Sequence, residues 1–235
     1  MNGHSLTFCG TQLIALASGA LYWPDEKTLC VSDLHLGKSE RIARRSGGLL
    51  PPYEIRATLD QLEQDLDHIS PRRVICLGDS FDDLAAANAL NPDDISRLQR
   101  LQAGREWIWI EGNHDPGPVA LGGTHLCEWT HGPLTFRHIA DPNKSHEISG
   151  HYHPKASRPA AYGSRPCFVV DAQRMILPAY GAFTGGLRCQ DAVLQDLFPS
   201  KTIAILTGST PLVIPFPRPN QSRGANRFTR TKVSR

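Results

Sequence analysis

The sequence predicts an α/β domain built of two packed mixed β-sheets flanked by helices, and three observations carry that prediction. In the first half, short Val-, Ile- and Leu-rich runs alternate with amphipathic stretches in the order β-α-β-α-β. From about residue 125 the pattern becomes mostly β, in short segments divided by Gly, Pro and Asn. A chain of 235 residues is long enough for one substantial core, and it contains no internal repeat.

Each element follows from local chemistry. "LTFCGTQLIALAS" and "GALYWPDEKTLCVSD" read as short strands broken by glycine and by a Pro-Asp turn. Leu29, Cys30 and Val31 close the last of these as a buried strand. In "YEIRATLDQLEQDLDHI" the residues Ile55, Leu59, Leu62, Leu66 and Ile69 recur at helical spacing, after Pro51-Pro52 and before Pro71. "RRVICLGD" is a second buried strand. "PDDISRLQRLQ" is a helix with Pro92 in its first turn, where a missing N–H costs little. "EWIWIEGNHD" is a third strand with a polar end. The β-rich remainder holds "HLCEWTHGPLTFRH", "HEISGHYHP", "CFVVDAQRMILPAY" and "TIAILTG". Residues 1–217 therefore form a single domain. Residues 218–235, "RPNQSRGANRFTRTKVSR", lack the apolar content for a core and read as a disordered basic tail.

Composition excludes several classes. With 40% hydrophobic and 20% charged residues the chain is ordinary for a globular protein. No run approaches the roughly 20 apolar residues a membrane helix requires, so no membrane partner is expected. The net charge of +2 is unevenly placed: the tail carries six Lys or Arg and no acid, leaving a formal −4 on the preceding 217 residues. Six scattered cysteines form no C-x-x-C pair, and Lys27 is the first cation. A reduced, cytoplasmic protein with no secretion signal is the expectation.

The ends of the core strands carry the chemistry. One ends "SDLH", offering Asp33 and His35; the next ends "LGD", offering Asp79; the third ends "EGNHD", offering Asn113, His114 and Asp115. Two later β segments end "FRH" and "SGHYHP", offering His138, His151 and His153. Ligands of α/β sheets gather outside the carboxyl ends of the strands, so all of these converge on one rim. Asp33 and His35, like His151 and His153, stand at i and i+2, which an extended chain places on one face, with Tyr152 turned away. Gly37 then lets the backbone leave the site. Seven oxygen and nitrogen donors without a thiolate suit two divalent ions, Mn²⁺ ahead of Zn²⁺ or Fe, and disfavour a structural Cys-rich zinc. Singly, each piece has a plain alternative: Gly78-Asp79 is a common turn, Gly112-Asn113 a hairpin signal, and Gly150 and Pro154 turn punctuation.

The series "SDLH … GD … GNHD … H … GHYHP" resembles the calcineurin-like metallophosphoesterase superfamily over residues 31–154. Two further stretches, "SDLHLGKSERIARRSGGLLPP" and "LPAYGAFTGGL", are similar to the DNA-ligase-associated metallophosphoesterase group, over roughly residues 5–215. The resemblance implies an αββα sandwich and a phosphodiesterase, in this group a DNA endonuclease of the damage response linked to a ligase and helicase repair system. It implies that Asp33, His35 and His153 bind one metal, that Asp79 bridges both, and that Asn113, His138 and His151 bind the other. His114 corresponds to the histidine that contacts the scissile phosphate and protonates the leaving oxygen, and Asp115 would orient that imidazole. Two ions about 3.5–4 Å apart would supply hydroxide near neutral pH and draw charge from the phosphate.

Other readings stay open at this point. His131, in "HGP", competes with His138 for the metal; His138 is preferred because it ends the alternating run Leu134, Phe136. Asp82 and Asp83 either cap the alanine-rich helix that follows or support the site from behind. Lys38, Arg41, Arg44 and Arg45 would grip a nucleic-acid backbone or form a solvated face. His146 is expected to face water. "YGAFTGG" has the composition of a loop that approaches the site closely. In function, a phosphoesterase acting on a small nucleotide or dinucleotide, and a non-catalytic binding module, stand as alternatives.

Overall fold

The computed structural model describes residues 2–46, 53–157, 163–199 and 201–219, with the backbone alone at 43–46. The first sheet holds β1 (Gly3–Phe8), β2 (Thr11–Leu16), β3 (Leu21–Trp23), β4 (Thr28–Val31), β5 (Arg73–Leu77), β6 (Glu106–Ile110) and β7 (Thr124–Leu126), paired in chain order. Its strands are antiparallel up to β4 and parallel from β4 to β7. The second sheet is built from β8 (Glu128–His131), β9 (Leu134–Arg137), β10 (Glu147–Ser149), β11 (Lys155–Ala156), β12 (Arg165–Val170), β13 (Arg174–Ile176), β14 (Ile203–Leu206) and β15 (Leu212–Pro215). Its order is β15-β14-β12-β13-β10-β9-β8, with β11 beside β12. Within it β10 runs parallel to both β9 and β13.

Parallel strands require crossovers; helices supply those from β4 to β5 and from β5 to β6, while a loop joins β6 to β7. Helices α1 (Lys38–Ser46) and α2 (Glu54–Ile69) join β4 to β5; α3 (Leu84–Asn88) and α4 (Pro92–Gln102) join β5 to β6. Ser70 ends α2 in the left-handed conformation, its N–H returned to Leu66 O. Asn91 caps α4 through Asp94 N, with Pro92 next. Helix α5 (Ala192–Leu197) lies in the second half.

Strand alternation divides the interior into layers. Val74, Cys76, Trp107 and Trp109 face Leu59, Leu62 and Leu66 of α2 and Leu98 and Leu101 of α4. Their neighbours Ile75, Leu77, Ile108 and Ile110 face the second sheet, meeting Leu134, Phe136, Ile148, Phe168 and Met175. On the far side, Cys167, Val169, Ala204 and Leu206 pack on Leu194 and Leu197 of α5. The order is helix, sheet, sheet, helix, as the sequence predicts. Residues 220–235, most of the expected basic tail, lie outside the described residues. Arg218 is docked instead, stacked over Phe216 with its guanidinium donating to Gln195 Oε1.

Candidate metal centre

Every candidate donor follows the end of a strand. Asp33 and His35 follow β4, Asp79 follows β5, Asn113 and His114 follow β6, His138 follows β9, and His151 and His153 follow β10. The backbone there is not extended. Asp33, His35, Asp79, His151 and His153 all have φ between +45° and +69°. This corrects the extended i, i+2 geometry. Each pair shares a target because two left-handed residues flank a single intervening one. Such a conformation costs roughly 1–2 kcal/mol per non-glycine residue, and five of them at one rim are typical of strain held at a functional site. Tyr152 does not turn fully away, since its ring meets the edge of His151 at 5.0 Å.

Three groups of donor atoms result among the described residues; one of them, His35, Asp82 and His114, shares His35 with a second, and the other two carry the centre. The donor atoms of Asp33, His35 and His153 lie within 4.8 Å of one another, as do those of Asp79, His138 and His151. Nε2 of His35 faces Nε2 of His153 at 3.3 Å, and Nε2 of His138 faces Nδ1 of His151 at 3.3 Å. His153 Nε2 stands 3.0 Å from Asp33 Oδ1. Asp79 Oδ2 lies between the clusters, 3.3 Å from His138 Nε2 and 4.0 Å from His35 Nε2. Asn113 Oδ1 adds a 3.0 Å contact to His138 Nε2. Pairs of imidazole nitrogens converging on carboxylate oxygens suit divalent cations, and the donor set fits two.

A supporting layer fixes the rings. His138 Nδ1 donates to Leu77 O and His35 Nδ1 to Asp82 Oδ1, at 2.8 and 2.9 Å, which leaves the lone pair of each Nε2 free to ligate a metal at the centre. The second oxygen of Asp82 takes the guanidinium of Arg41, so both carboxylate oxygens already carry a partner. Asp83, not Asp82, caps α3, through Ala86 N. Ser32 Oγ donates to Asp33 Oδ2.

Charge follows from these contacts. Burial pushes the Asp79 carboxyl up, but the hydrogen bond and charge of His138, the His114 N–H and the His35 charge together bring it to about 2. Asp33 is likewise held below the ordinary range, burial being outweighed by His153 and His138. For His138, burial favours the neutral ring, yet Asp79 and Asp33 raise its pKa. Burial and the neighbouring His138 lower that of His151.

His114 is in neither of the two main clusters but adjoins them, grouping with His35 and Asp82, its ring against that of His35 at 5.3 Å. Its Nδ1 donates to Asp82 O at 2.8 Å, its Nε2 is 4.0 Å from Asp79 Oδ2, and its side chain is 28% exposed. Asp115 does not orient it. The Asp115 carboxylate accepts backbone N–H groups from Asp79 and Gly112 at Oδ1, and from Ser80 and Phe81 at Oδ2, over 2.8–3.1 Å. It ties the loop after β5 to the loop after β6, and the Asp82 carbonyl orients the imidazole instead. Its buried position, 5% exposed, and four competing N–H donors explain the difference.

His131 is not at the centre. It pairs with Glu26 Oε2 at 2.9 Å and stacks on Trp129. His146 is exposed. Lys38 is partly exposed at the start of α1. Arg41, expected at substrate phosphates, is engaged by Asp82 and only 22% exposed; a buried carboxylate within reach outcompetes solvent for it. The side chains of Arg44 and Arg45 lie outside the described residues.

Glycines at the centre serve more than turns. Gly78 has φ +73°, and a Cβ there would lie 2.5 Å from the His138 ring. A Cβ on Gly112 would fall 2.1 Å from Asp79 N, and one on Gly150 1.7 Å from Ser32 Oγ. Both were legible as glycines preceding a donor, but as turn signals rather than as close approaches. Gly37, at φ +83°, redirects the chain, and its Cβ would also strike Ala86.

A family model described as calcineurin-like phosphoesterase matches residues 26–181. A solved structure, titled as the crystal structure of Pseudomonas putida nuclease MPE, aligns with a TM-score of 0.71 at 30% sequence identity, covering 90% of this chain and 100% of that one. No curated protein matches the chain.

Proposed function

Because the chain belongs to the calcineurin-like phosphoesterase family and is a metal-dependent hydrolase, we propose that it is a two-metal phosphodiesterase that cuts nucleic acid. The observation that carries this reading is the pair of donor clusters with Asp79 between them. Asp33, His35, His153 and Asp79 would hold one divalent ion, and Asp79, Asn113, His138 and His151 the other. Such a pair, when bound, supplies Lewis-acid activation of water and neutralises phosphate charge. The remaining steps belong to the chain. His114, with its Nδ1–H committed to Asp82 O, keeps Nε2 for the leaving oxygen of the phosphate and, as the imidazolium, can give it the Nε2 proton and return to the neutral ring. Asp82 and Leu77 O hold the two inner imidazoles in the tautomer that faces the centre.

The nuclease neighbour supports a polynucleotide substrate. The sequence resemblance to the DNA-ligase-associated group supports DNA, a role in the damage response and a ligase and helicase partner. The mixed carboxylate, amide and imidazole set supports Mn²⁺. Reconstituted protein, assayed side by side on circular single-stranded DNA, duplex DNA, bis-p-nitrophenyl phosphate and p-nitrophenyl phosphate, tests the proposal. Opening of the circle and preference for the diester are expected. Hydrolysis confined to the monoester would overturn it.

A further inference from the structure

We infer that Phe183 is a positioning residue whose ring stacks on a nucleobase beside the scissile phosphate. The segment from Tyr180 to Leu187 is clamped to the backbones that carry two of the candidate metal ligands. Tyr180 N donates to Ser32 O and Gly181 N to Asp33 O, at 2.8 and 3.1 Å. A Cβ on Gly181 would sit 2.0 Å from Leu34 O, and one on Gly186 2.1 Å from His153 O. Between these clamps, Ala182 N donates to Thr58 Oγ1 of α2, and Lys155 Nζ to Thr184 O. The loop is thus a fixed platform seated between Asp33 and His153.

Phe183 is at its tip. It is 55% exposed, and its φ is +57°. Among the described residues it is the one large apolar side chain in the left-handed region, where glycine or asparagine would sit at far less cost. Scattered exposed apolar residues need no explanation, but a strained one on a rigid mount beside a catalytic centre does. More than half of its surface stays open to solvent, so burial returns little of that strain. A flat aromatic face next to the cleavage site offers what every base can use, a surface for stacking.

This inference rests on the nuclease reading. Its test is a double-mutant cycle on kcat/KM, using Phe183→Ala and an oligonucleotide with abasic residues at the positions flanking the cut. Phe183→Ala is expected to lower kcat/KM on the base-bearing strand about 5- to 150-fold, the range of one stacked base. On the abasic strand, which has lost the same contact in the wild type, the substitution should add little. Phe183→Trp should restore the rate. Phe183→Gly should keep or raise the thermal midpoint while losing the same activity, which separates the effect from misfolding. Equal losses on both strands, or none on either, would overturn the inference. A wild type inactive on both strands while hydrolysing the small diester would overturn the nuclease reading, and the stacking role with it.

Discussion

Asp115→Asn separates two roles that the same carboxylate could have. The substitution keeps the shape but replaces one oxygen with an amide that donates. In the wild type each oxygen accepts two buried backbone N–H groups, Asp79 and Gly112 at one, Ser80 and Phe81 at the other. Whichever way the asparagine settles, two backbone donors face an NH₂ and lose their acceptor. A buried unsatisfied donor costs about 1–3 kcal/mol, so the variant should lose roughly 2–6 kcal/mol. For a chain of this size that is a fall of roughly 4–24 °C in thermal midpoint. The loops it joins carry Asp79 and Asn113, so metal affinity should fall with stability. Thermal unfolding of chelated protein and metal titration give both numbers. If the midpoint is unchanged while the pH–rate profile of His114 shifts, Asp115 orients the imidazole after all and the clasp is the wrong account.

Three further predictions follow from the same geometry. His114→Ala should retain both metals by elemental analysis but lose about 10²–10⁴-fold in turnover; an emptied site would make His114 a ligand. His138→Ala should cost far more metal affinity and activity than His131→Ala, whose partners are Glu26 and Trp129, and the reverse ranking in metal titrations would refute the assignment. In the metal-free chain Asp79 titrates at about 2 instead of 3.8. Because its folded pKa is depressed, it contributes about 2 kcal/mol above pH ~4 that is lost as the pH falls toward 2. Urea unfolding of chelated wild type and Asp79→Ala across that window should show a shallower pH slope in the variant, and parallel slopes would sink the argument.

Much of this was legible in the sequence because it was written as periodicity. Val74 to Leu77 alternate between two cores, and Leu59, Leu62 and Leu66 recur at helical spacing, so element type and layer order followed from pattern alone. The donors were legible because each comes within four residues of the end of an apolar strand. What escaped was contact between segments distant in sequence. Nothing local says that Asp115 accepts from residues 79–81, that Arg41 reaches Asp82 rather than solvent, or that Gly112 must clear Asp79. The left-handed backbone of Asp33, His35, His151 and His153 also contradicts a local rule: an extended strand was the natural expectation, and the surrounding fold overrides it. Polar residues with several available partners are where sequence reasoning has least to constrain it.

The chain passes from the first sheet to the second at one place, Cys127, since β7 ends at Leu126 and β8 begins at Glu128. Each donor cluster nevertheless draws on both sides: Asp33 and His35 join His153, and Asp79 joins His138 and His151. The cage is therefore a seam between two consecutive halves of the polypeptide, neither of which owns a complete set of donors. His35 and His153 are 118 positions apart, and closing a chain loop of that length costs about 5 kcal/mol of entropy. The apolar layer between the sheets, Ile75, Leu77 and Ile108 against Phe136, Ile148 and Phe168, meets that cost before any ion arrives. Ion occupancy thus becomes a gauge of how firmly the halves are docked. A cavity cut into that layer, well away from every donor, would loosen both centres together.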